Sequence, residues 1–404
     1  MAELEWLDGG ITAVPGILAG GVAAGIKPGG KKDLALVYSS TPARVAAVFT
    51  SNQVKGAAVV VSMEHARSGT AQAILASSGC SNVCTGERGL RDAREMARLA
   101  GELLRVPAAQ VLVASTGVIG VPLPMDRIRA ALPKLVKALS PQGGRAAAEA
   151  ILTTDTRTKE AALRVELGGR PVTIGGIAKG VGMLEPHLAT MFCFVATDAV
   201  VARAPLAAVT RRAVERTLNR ITVDADQSTS DTVAVLANGL AENRPLAAGG
   251  SGLRQFAAGL EAVMGRLARM LVSDGEGATK LVAITVRGAA SRKDALAAAR
   301  SVANSPLVKT AINGQDPNWG RIMMALGKSA ARVEQDKVSI AFDDERLVER
   351  GMLREGARLD RLREIMARPE YAITVDLGLG RSEERVLTCD LSEEYVRING
   401  KYTT

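Results

Sequence analysis

Short apolar runs separated by Gly, Pro and Ser fill the first eighty residues and predict β-strands. The runs cover 33–39, 45–50, 57–62 and 73–77 and are rich in Val, Ile and Ala. An amphipathic helix is predicted over 90–104, where apolar residues recur every three or four positions between Arg and Glu. A sheet therefore begins early in the chain, and a helix follows it.

The remainder of the chain repeats this pattern of clustered strands and intervening helices. Further strands are predicted over 111–114, 190–196, 280–286, 338–342, 372–377 and 385–390, a hairpin over 161–174, and helices over 145–152 and 254–272. Ser291, followed by Asp294, indicates the capped start of another helix. Because strands occur in clusters rather than in strict alternation with helices, the pattern predicts an α/β (α+β) fold built as a layered sandwich.

Length and composition exclude several classes of protein. The chain has 404 residues, enough for a large core, and 47% of them are apolar although only 3% are aromatic. His65 and His187 are the only histidines, so a multi-histidine metal centre is excluded and no metal is expected. The net charge of +9 permits nucleic-acid binding, but no basic run is interleaved with aromatic residues.

The cysteines and the N-terminal segment indicate a cytoplasmic protein. Cys80, Cys84, Cys193 and Cys389 have neither zinc-ribbon spacing nor the density of a disulfide framework, which favours a reducing compartment. The first residues carry acids where a secretory signal carries Lys or Arg, and no long apolar run suits a membrane span. We therefore expect no membrane association.

One segment has the residues for nucleophilic catalysis without histidine. Phosphate-binding loops of the familiar kinds are absent, and the remaining glycine-flanked polar clusters are each compatible with simple turns. In Lys179–Ala199, a glycine-containing loop leads to Ala189-Thr190, where an apolar strand begins. Cleavage before Thr190 would give this threonine a free α-amine beside its own hydroxyl, a nucleophile and a base in one residue. A threonine packed at a strand start is the alternative interpretation.

The ordered motifs of the chain resemble the ornithine acetyltransferase (glutamate N-acetyltransferase) family of arginine biosynthesis. These motifs are GIKPGGKKDLALV, STGVIG, LTTDT, KGVGMLEPHLATMF, DGEGATKL, SPLVKTAINGQDPNWGR and the terminal INGKYTT, so the resemblance extends over nearly the whole chain. It implies self-cleavage at Ala189-Thr190 into an α region, 1–189, and a β region, 190–404, with two copies of each in a heterotetramer. It also implies the layered fold that self-processing aminopeptidases use.

The resemblance further implies the roles of individual residues. Thr190 matches the nucleophile, and the Thr116 hydroxyl with the Gly117 amide matches the oxyanion hole. The matching substrate contacts are Thr153, Lys179, Thr190, Glu276, Asn399 and the terminal Thr404, with Thr154 as an alternative register for Thr153. The implied reaction moves the acetyl group of N2-acetyl-L-ornithine to L-glutamate through an acetyl-Thr190 ester.

Two other functions stay open from the sequence alone. An amidase or aminopeptidase of the same fold would resolve the acyl-threonine with water, and a basic nucleic-acid-binding protein would use the positive charge. No cofactor is expected, and the sequence leaves open whether acetyl-CoA serves as a second acetyl donor. The chain departs from the family pattern at Cys80 and His187, and no role is assigned to His187, Cys80 or Cys84.

Overall fold

The computed structural model describes residues 4–185 and 191–401, and the chain divides into two compact units. The first unit comprises Met1–Asn219, Asp226–Leu271 and Thr404, and the second comprises Arg220–Ala225 and Val272–Thr403. The predicted division at 189/190 marks a cleavage point rather than a compact unit and stays a prediction. It falls inside the first unit, between two strands of one sheet.

Within the described ranges, the first unit contains nine strands and six helices. The strands are β1 (Glu5–Leu7), β2 (Ile17–Val22), β3 (Leu34–Phe49), β4 (Thr70–Cys80), β5 (Val111–Val118), β6 (Lys159–Leu167), β7 (Arg170–Lys179), β8 (Phe192–Thr197) and β9 (Thr232–Ala237). The helices are α1 (Ala57–Ala66), α2 (Gly86–Leu104), α3 (Met125–Lys137), α4 (Gly144–Ala150), α5 (Arg203–Arg216) and α6 (Ser251–Ser273), whose last two residues belong to the second unit.

The nine strands form one mixed sheet with an apolar cluster on each face. Their order is β1-β6-β7-β8-β9-β3-β4-β5, with β2 also paired to β3, and β4/β5 and β8/β9 are parallel pairs. Alternate residues of β3 serve the two faces: Ala35 and Val37 join one buried cluster, whereas Leu34 and Leu36 join the other. Helices α2 and α3 cover the second face and α4 the first, so the sheet lies between two helical layers.

The second unit is a six-stranded sheet with its own core. Its strands are β10 (Leu281–Ala289), β11 (Ser339–Phe342), β12 (Glu345–Glu349), β13 (Met352–Leu353), β14 (Glu370–Asp376) and β15 (Ser382–Cys389), in the order β13-β12-β11-β14-β10-β15. The helices are α7 (Arg292–Ala303), α8 (Pro306–Asn313), α9 (Trp319–Gly327), α10 (Leu359–Ala367) and α11 (Glu393–Lys401). Helices α7 to α10 contribute side chains to the cluster that covers the sheet.

The predicted layered α/β architecture is confirmed, and one predicted strand is wrong. Residues 57–62 lie in helix α1, whose buried side chains pack with those of β4 and β5. A short apolar run has no period that separates a buried helix from a buried strand, which explains the error. The runs at 33–39 and 45–50 belong to one long strand, β3, whose pairing with β4 shifts register between Tyr38 and Ala43.

Candidate active site

The carboxyl-terminal ends of β5 and β7 and the loop after α4 bring together three of the predicted site residues. Lys179, the last residue of β7, is 1% exposed, and its Nζ donates a hydrogen bond of 2.8 Å to Thr153 Oγ1. The same ammonium lies 3.4 Å from the Thr116 hydroxyl oxygen, on β5. Thr116, Thr153 and Lys179 therefore form one buried polar cluster, although 63 residues separate the first of them from the last.

Asp155 is the anion at the centre of this cluster, and the sequence analysis did not identify it. Its Oδ1 accepts hydrogen bonds from Lys159 Nζ at 2.7 Å and from the Gly180 amide at 2.8 Å. Its Oδ2 accepts the Thr153 amide at 3.1 Å and lies 3.9 Å from Lys179 Nζ. Two buried lysines thus share one buried carboxylate. Asp155 thereby connects the loop after α4 to the start of β6 and the end of β7.

The charges around Asp155 decide its protonation state. Burial alone would raise the pKa of this carboxyl, but the positive charges of Lys179 and Lys159 and the hydrogen bonds from Lys159 and Gly180 outweigh burial. The net effect holds the pKa of Asp155 below its usual value, so the carboxylate is ionised at neutral pH.

A third lysine, Lys27, lies at the edge of the cluster. Its Nζ donates to the carbonyl oxygen of Leu152, the residue directly before Thr153, at 2.9 Å. Burial lowers the pKa of Lys27 to about 8, and the charge of Lys179 contributes to this shift, whereas Asp33 and Asp155 oppose it. The cluster therefore brings three lysines close to Thr153, and their positive charges attract anionic groups.

Gly117 needs to be glycine because of the strand beside it. Its φ is +128°, and a Cβ built there would lie 2.4 Å from the carbonyl carbon of Gly79 and 2.7 Å from the Cys80 nitrogen. Both atoms belong to the backbone of β4, which pairs with β5 in register Gly79 to Gly117. A side chain at 117 would force two paired strands apart, so the Gly117 backbone can be approached closely only while it stays glycine.

The start of β8 is held by a buried carboxyl group. The Met191 amide donates to Asp231 Oδ1 at 2.7 Å, and the Met191 carbonyl oxygen accepts the Thr232 amide at 3.1 Å. Asp231 precedes β9, which runs parallel to β8 with Phe192 opposite Thr232. Residue 191 is thus fixed on both sides of its backbone, at the edge of the sheet where β7 ends with Lys179.

In the second unit, Glu276 and Asn399 are in contact. Asn399 Nδ2 donates to Glu276 Oε2 at 2.7 Å, joining helix α11 to the turn before β10. That turn is fixed by Asp390, which accepts the Thr279 and Lys280 amides at 2.8 and 2.9 Å. The Ser392 hydroxyl also donates to the Gly277 carbonyl oxygen at 2.6 Å. The two predicted substrate contacts of this unit are therefore hydrogen-bonded to each other, with Glu276 on the turn and Asn399 on α11.

Three predicted site residues lie outside the described residues, namely Ala189, Thr190 and Thr404, as does His187. The site residues missed from the sequence are Asp155, Lys159, Lys27 and Asp231. Asp155 and Asp231 stand in polar segments, LTTDT and DQSTSDT, whose acids are typical of solvated turns. Only the fold shows that their carboxyl groups are buried.

Comparison with known proteins identifies the family. The ArgJ family profile matches residues 18–404. The chain is 49% identical over 406 residues to the arginine biosynthesis bifunctional protein ArgJ of Symbiobacterium thermophilum, covering 99% of this chain and 100% of that protein. It is 49% identical over 391 residues to the protein of the same name from Geobacter sulfurreducens, covering 97% and 100%. The chain belongs to the ArgJ family.

Among solved structures, the ArgJ crystal structure from Bacillus halodurans aligns with a TM-score of 0.45 and 39% identity, over 47% of this chain and 99% of that one. An ornithine acetyltransferase from Mycobacterium tuberculosis, complexed with ornithine, aligns with a TM-score of 0.43 and 39% identity, over 46% and 98%. Membership of the ArgJ family confirms the predicted resemblance and the predicted class of enzyme, an acetyltransferase of arginine biosynthesis.

Three further observations concern metal binding, the cysteines and membrane-spanning helices. Within residues 4–185 and 191–401, no group of three or more His, Cys, Asp and Glu side chains has the arrangement of a metal site. Cys80 is buried and Cys84 exposed, and neither forms a disulfide. Over the same ranges, the structure has no helix of the length and apolarity that a membrane crossing requires.

Proposed function

We propose that this member of the ArgJ family moves the acetyl group of N2-acetyl-L-ornithine to L-glutamate in two half-reactions through an acetyl ester of Thr190. The donor leaves as L-ornithine before glutamate enters, and the second half-reaction releases N-acetyl-L-glutamate. The observation that carries the proposal is the cluster of Thr116, Thr153 and Lys179 around one buried ammonium. All three residues match the family motifs, and Lys179 pairs with Phe192, the first residue of β8.

In the proposed chemistry, Thr190 Oγ attacks the acetyl carbonyl carbon while the free α-amine of Thr190 accepts the hydroxyl proton. The resulting oxyanion accepts hydrogen bonds from the Thr116 hydroxyl and the Gly117 amide. Because Lys179 donates toward the Thr116 oxygen, the hydroxyl hydrogen of Thr116 is left to point at the substrate. The C–N bond then breaks, and the ornithine amine leaves with the proton. Glutamate reverses these steps.

Lys179 is suited to the α-carboxylate that the two amino acids share. Its ammonium is buried, donates to the Thr153 hydroxyl oxygen at 2.8 Å and lies 3.4 Å from the Thr116 hydroxyl oxygen. A buried ammonium beside these two hydroxyl groups attracts a carboxylate, because little water screens its charge. Glu276 and Asn399 stay predicted contacts to substrate, as do Thr190 and Thr404.

We further propose self-cleavage at Ala189-Thr190 and assembly of two α and two β fragments. The sheet supports a stable association after the cut, because β8 and β9 of the C-terminal fragment lie between β7 and β3 of the N-terminal fragment. Dissociation would break the ladders from Ile174–Thr197 to Lys179–Phe192 and from Arg44–Ala237 to Phe49–Thr232. The cut fragments are thus held by the interior of one sheet.

The "bifunctional" in the relatives' name supports a second acetyl donor, and we propose that acetyl-CoA also acetylates glutamate at this site. No cofactor beyond this co-substrate is proposed, and the cytoplasm is the expected compartment. The test is an assay of [acetyl-14C]-labelled acetylornithine or acetyl-CoA with glutamate. We expect labelled N-acetylglutamate from both donors. Release of labelled acetate alone would indicate an amidase, and transfer from neither donor would contradict the proposal.

A further inference from the structure

Asp231 is a buried carboxyl group for which the transfer steps have no use. It is 0% exposed, its Oδ1 accepts the Met191 amide at 2.7 Å, and its Oδ2 is buried without a hydrogen bond of ordinary geometry among the described residues. A neutral Asn or Ser could accept one backbone amide equally well, whereas a buried carboxyl oxygen without a partner costs free energy. Such a group calls for a chemical explanation.

The contact that Asp231 makes is one residue from the proposed cut. The nitrogen it holds is covalently bonded to the carbonyl carbon of Thr190, and Cα atoms of consecutive residues are about 3.8 Å apart. Asp231 therefore binds the backbone nitrogen of the residue that directly follows Thr190 in the sequence. Lys179 is the charged side chain that acts on Asp231 within the described part of the chain, from the neighbouring end of β7.

Self-cleavage needs a base that turnover does not need. In the cut enzyme the α-amine of Thr190 can accept the hydroxyl proton. Before the cut the same nitrogen is an amide, which has no basic lone pair. A carboxylate can accept such a proton. The uncut chain therefore requires another acceptor at this position.

We propose that Asp231 is the general base of self-cleavage. Its carboxylate takes the proton from Thr190 Oγ as Oγ bonds to the Ala189 carbonyl carbon, and it returns the proton to the Thr190 nitrogen as the C–N bond breaks. Water then hydrolyses the ester: its oxygen stays on the Ala189 carboxyl group, and one of its hydrogens restores the threonine hydroxyl. This inference rests on the proposed function, because it assumes the cut at Ala189-Thr190.

The surroundings of Asp231 suit this role. Burial raises the pKa of this carboxyl well above its usual value, and the Met191 amide, the Lys179 charge and the Ser228 hydroxyl oppose burial only in part. A carboxylate with a raised pKa is a stronger base. The rate of self-cleavage should therefore rise with pH while Asp231 ionises, through a range above the ordinary titration of a carboxyl group, and then become constant.

Asp198 offers a matched control at the other end of the same strand pair. It is 3% exposed, its Oδ1 accepts the Thr173 amide at 2.7 Å, and burial raises its pKa. Asp231 and Asp198 thus share burial and a backbone amide partner. Asp198 directly follows β8, whereas Asp231 binds Met191, the residue directly before β8. The length of β8 therefore separates the two carboxyl groups by about 20 Å.

The experiment compares the rate of self-cleavage of full-length wild type, Asp231→Asn and Asp198→Asn chains, made by cell-free translation and followed on denaturing gels. We expect Asp231→Asn to cleave at least about 10²-fold more slowly, the contribution of a general base, and Asp198→Asn to cleave within about threefold of wild type. Asp231→Asn that has finally been cut should transfer acetyl groups with a much smaller loss, because the α-amine serves turnover.

Stability separates a chemical role from a structural one. Because Asn keeps the acceptor for Met191 and removes a buried charge, uncut Asp231→Asn should unfold within about 4 °C of the uncut Thr190→Ala chain, or above it. The proposal is overturned if Asp231→Asn slows cleavage less than tenfold, if Asp198→Asn slows it equally, or if Asp231→Asn unfolds at a lower temperature than this. A wild-type chain that transfers acetyl groups but stays uncut overturns the proposed self-cleavage as well.

Discussion

Replacing Asp155 by Asn removes the negative charge that two buried lysines share, and we expect a large loss of stability. Lys159 and Lys179 are 0% and 1% exposed, so neither ammonium can turn to water when its counter-charge is lost. Removing one partner of a buried ion pair costs about 3 to 5 kcal/mol. The side-chain oxygen of Asn can still accept a hydrogen bond from the amide of Thr153 or of Gly180. The expected loss of stability therefore comes mainly from the lost negative charge.

The assay for this prediction is thermal unfolding followed by calorimetry or circular dichroism, with Thr190→Ala as the background so that every chain stays in one piece. We expect the transition of the first unit to fall by roughly 6 to 20 °C, the shift that 3 to 5 kcal/mol gives in a unit of this size. Because the lysines lower the pKa of Asp155 in the folded state, its ionised form stabilises the fold above the usual carboxyl range. That contribution is lost as pH falls through the lowered pKa.

A surface ion pair of equal length provides the control. Lys32 Nζ and Glu149 Oε2 also lie 2.7 Å apart, but their side chains are 41% and 38% exposed. Glu149→Gln should cost less than about 1 kcal/mol, because water replaces the lost partner. If Asp155→Asn lowers the midpoint of thermal unfolding no more than Glu149→Gln does, the buried charges around Asp155 do not contribute the expected stability.

Four further outcomes follow from the site. Thr116→Ala, tested on fully cut protein, should lower kcat about 10²- to 10³-fold with a smaller change in KM, since it removes one donor to the oxyanion; turnover within threefold of wild type would make Thr116 a turn residue. Thr190→Ala should block both cleavage and transfer, whereas Thr190→Ser should keep some of each. Wild type given acetylornithine alone should show one added acetyl group on the C-terminal fragment by mass spectrometry; an unmodified fragment would indicate direct transfer. KM for acetylornithine should rise above about pH 8 as Lys27 loses its charge, and Lys27→Met should have a raised KM without this dependence; the same pH profile in both proteins would remove Lys27 from substrate binding.

The parts of the fold that the sequence predicted are those in which local pattern and burial agree. Residues 90–104 carry an apolar stripe along one face, and they form α2, whose Ala93, Met96 and Ala97 are buried. The hairpin predicted over 161–174 is formed by β6 and β7, and the two glycines between these strands, Gly168 and Gly169, both adopt the positive φ that such a turn favours. The strand predicted over 57–62 was wrong because a short run of Ala and Val suits a buried helix and a buried strand equally well. Only packing against β4 and β5 decides between the two.

The site was predictable only where a residue is part of a recognisable motif, because its geometry comes from pairings distant in sequence. Thr116, Thr153 and Lys179 could be assigned by resemblance, but nothing local indicates that one ammonium reaches both hydroxyl groups. The charged groups near this ammonium, Asp155 and Lys159, were missed for the same reason. Asp155 lies in a polar loop, and it becomes a buried anion because β6 and β7 bring Lys159 and Gly180 to it from either side. A carboxyl group in a solvated turn and one held by two buried lysines have the same sequence signature, and they differ in desolvation and pairing, which the sheet supplies. The chemistry of this site therefore depends on the fold, which brings the ends of β5 and β7 to the loop that carries Thr153 and Asp155.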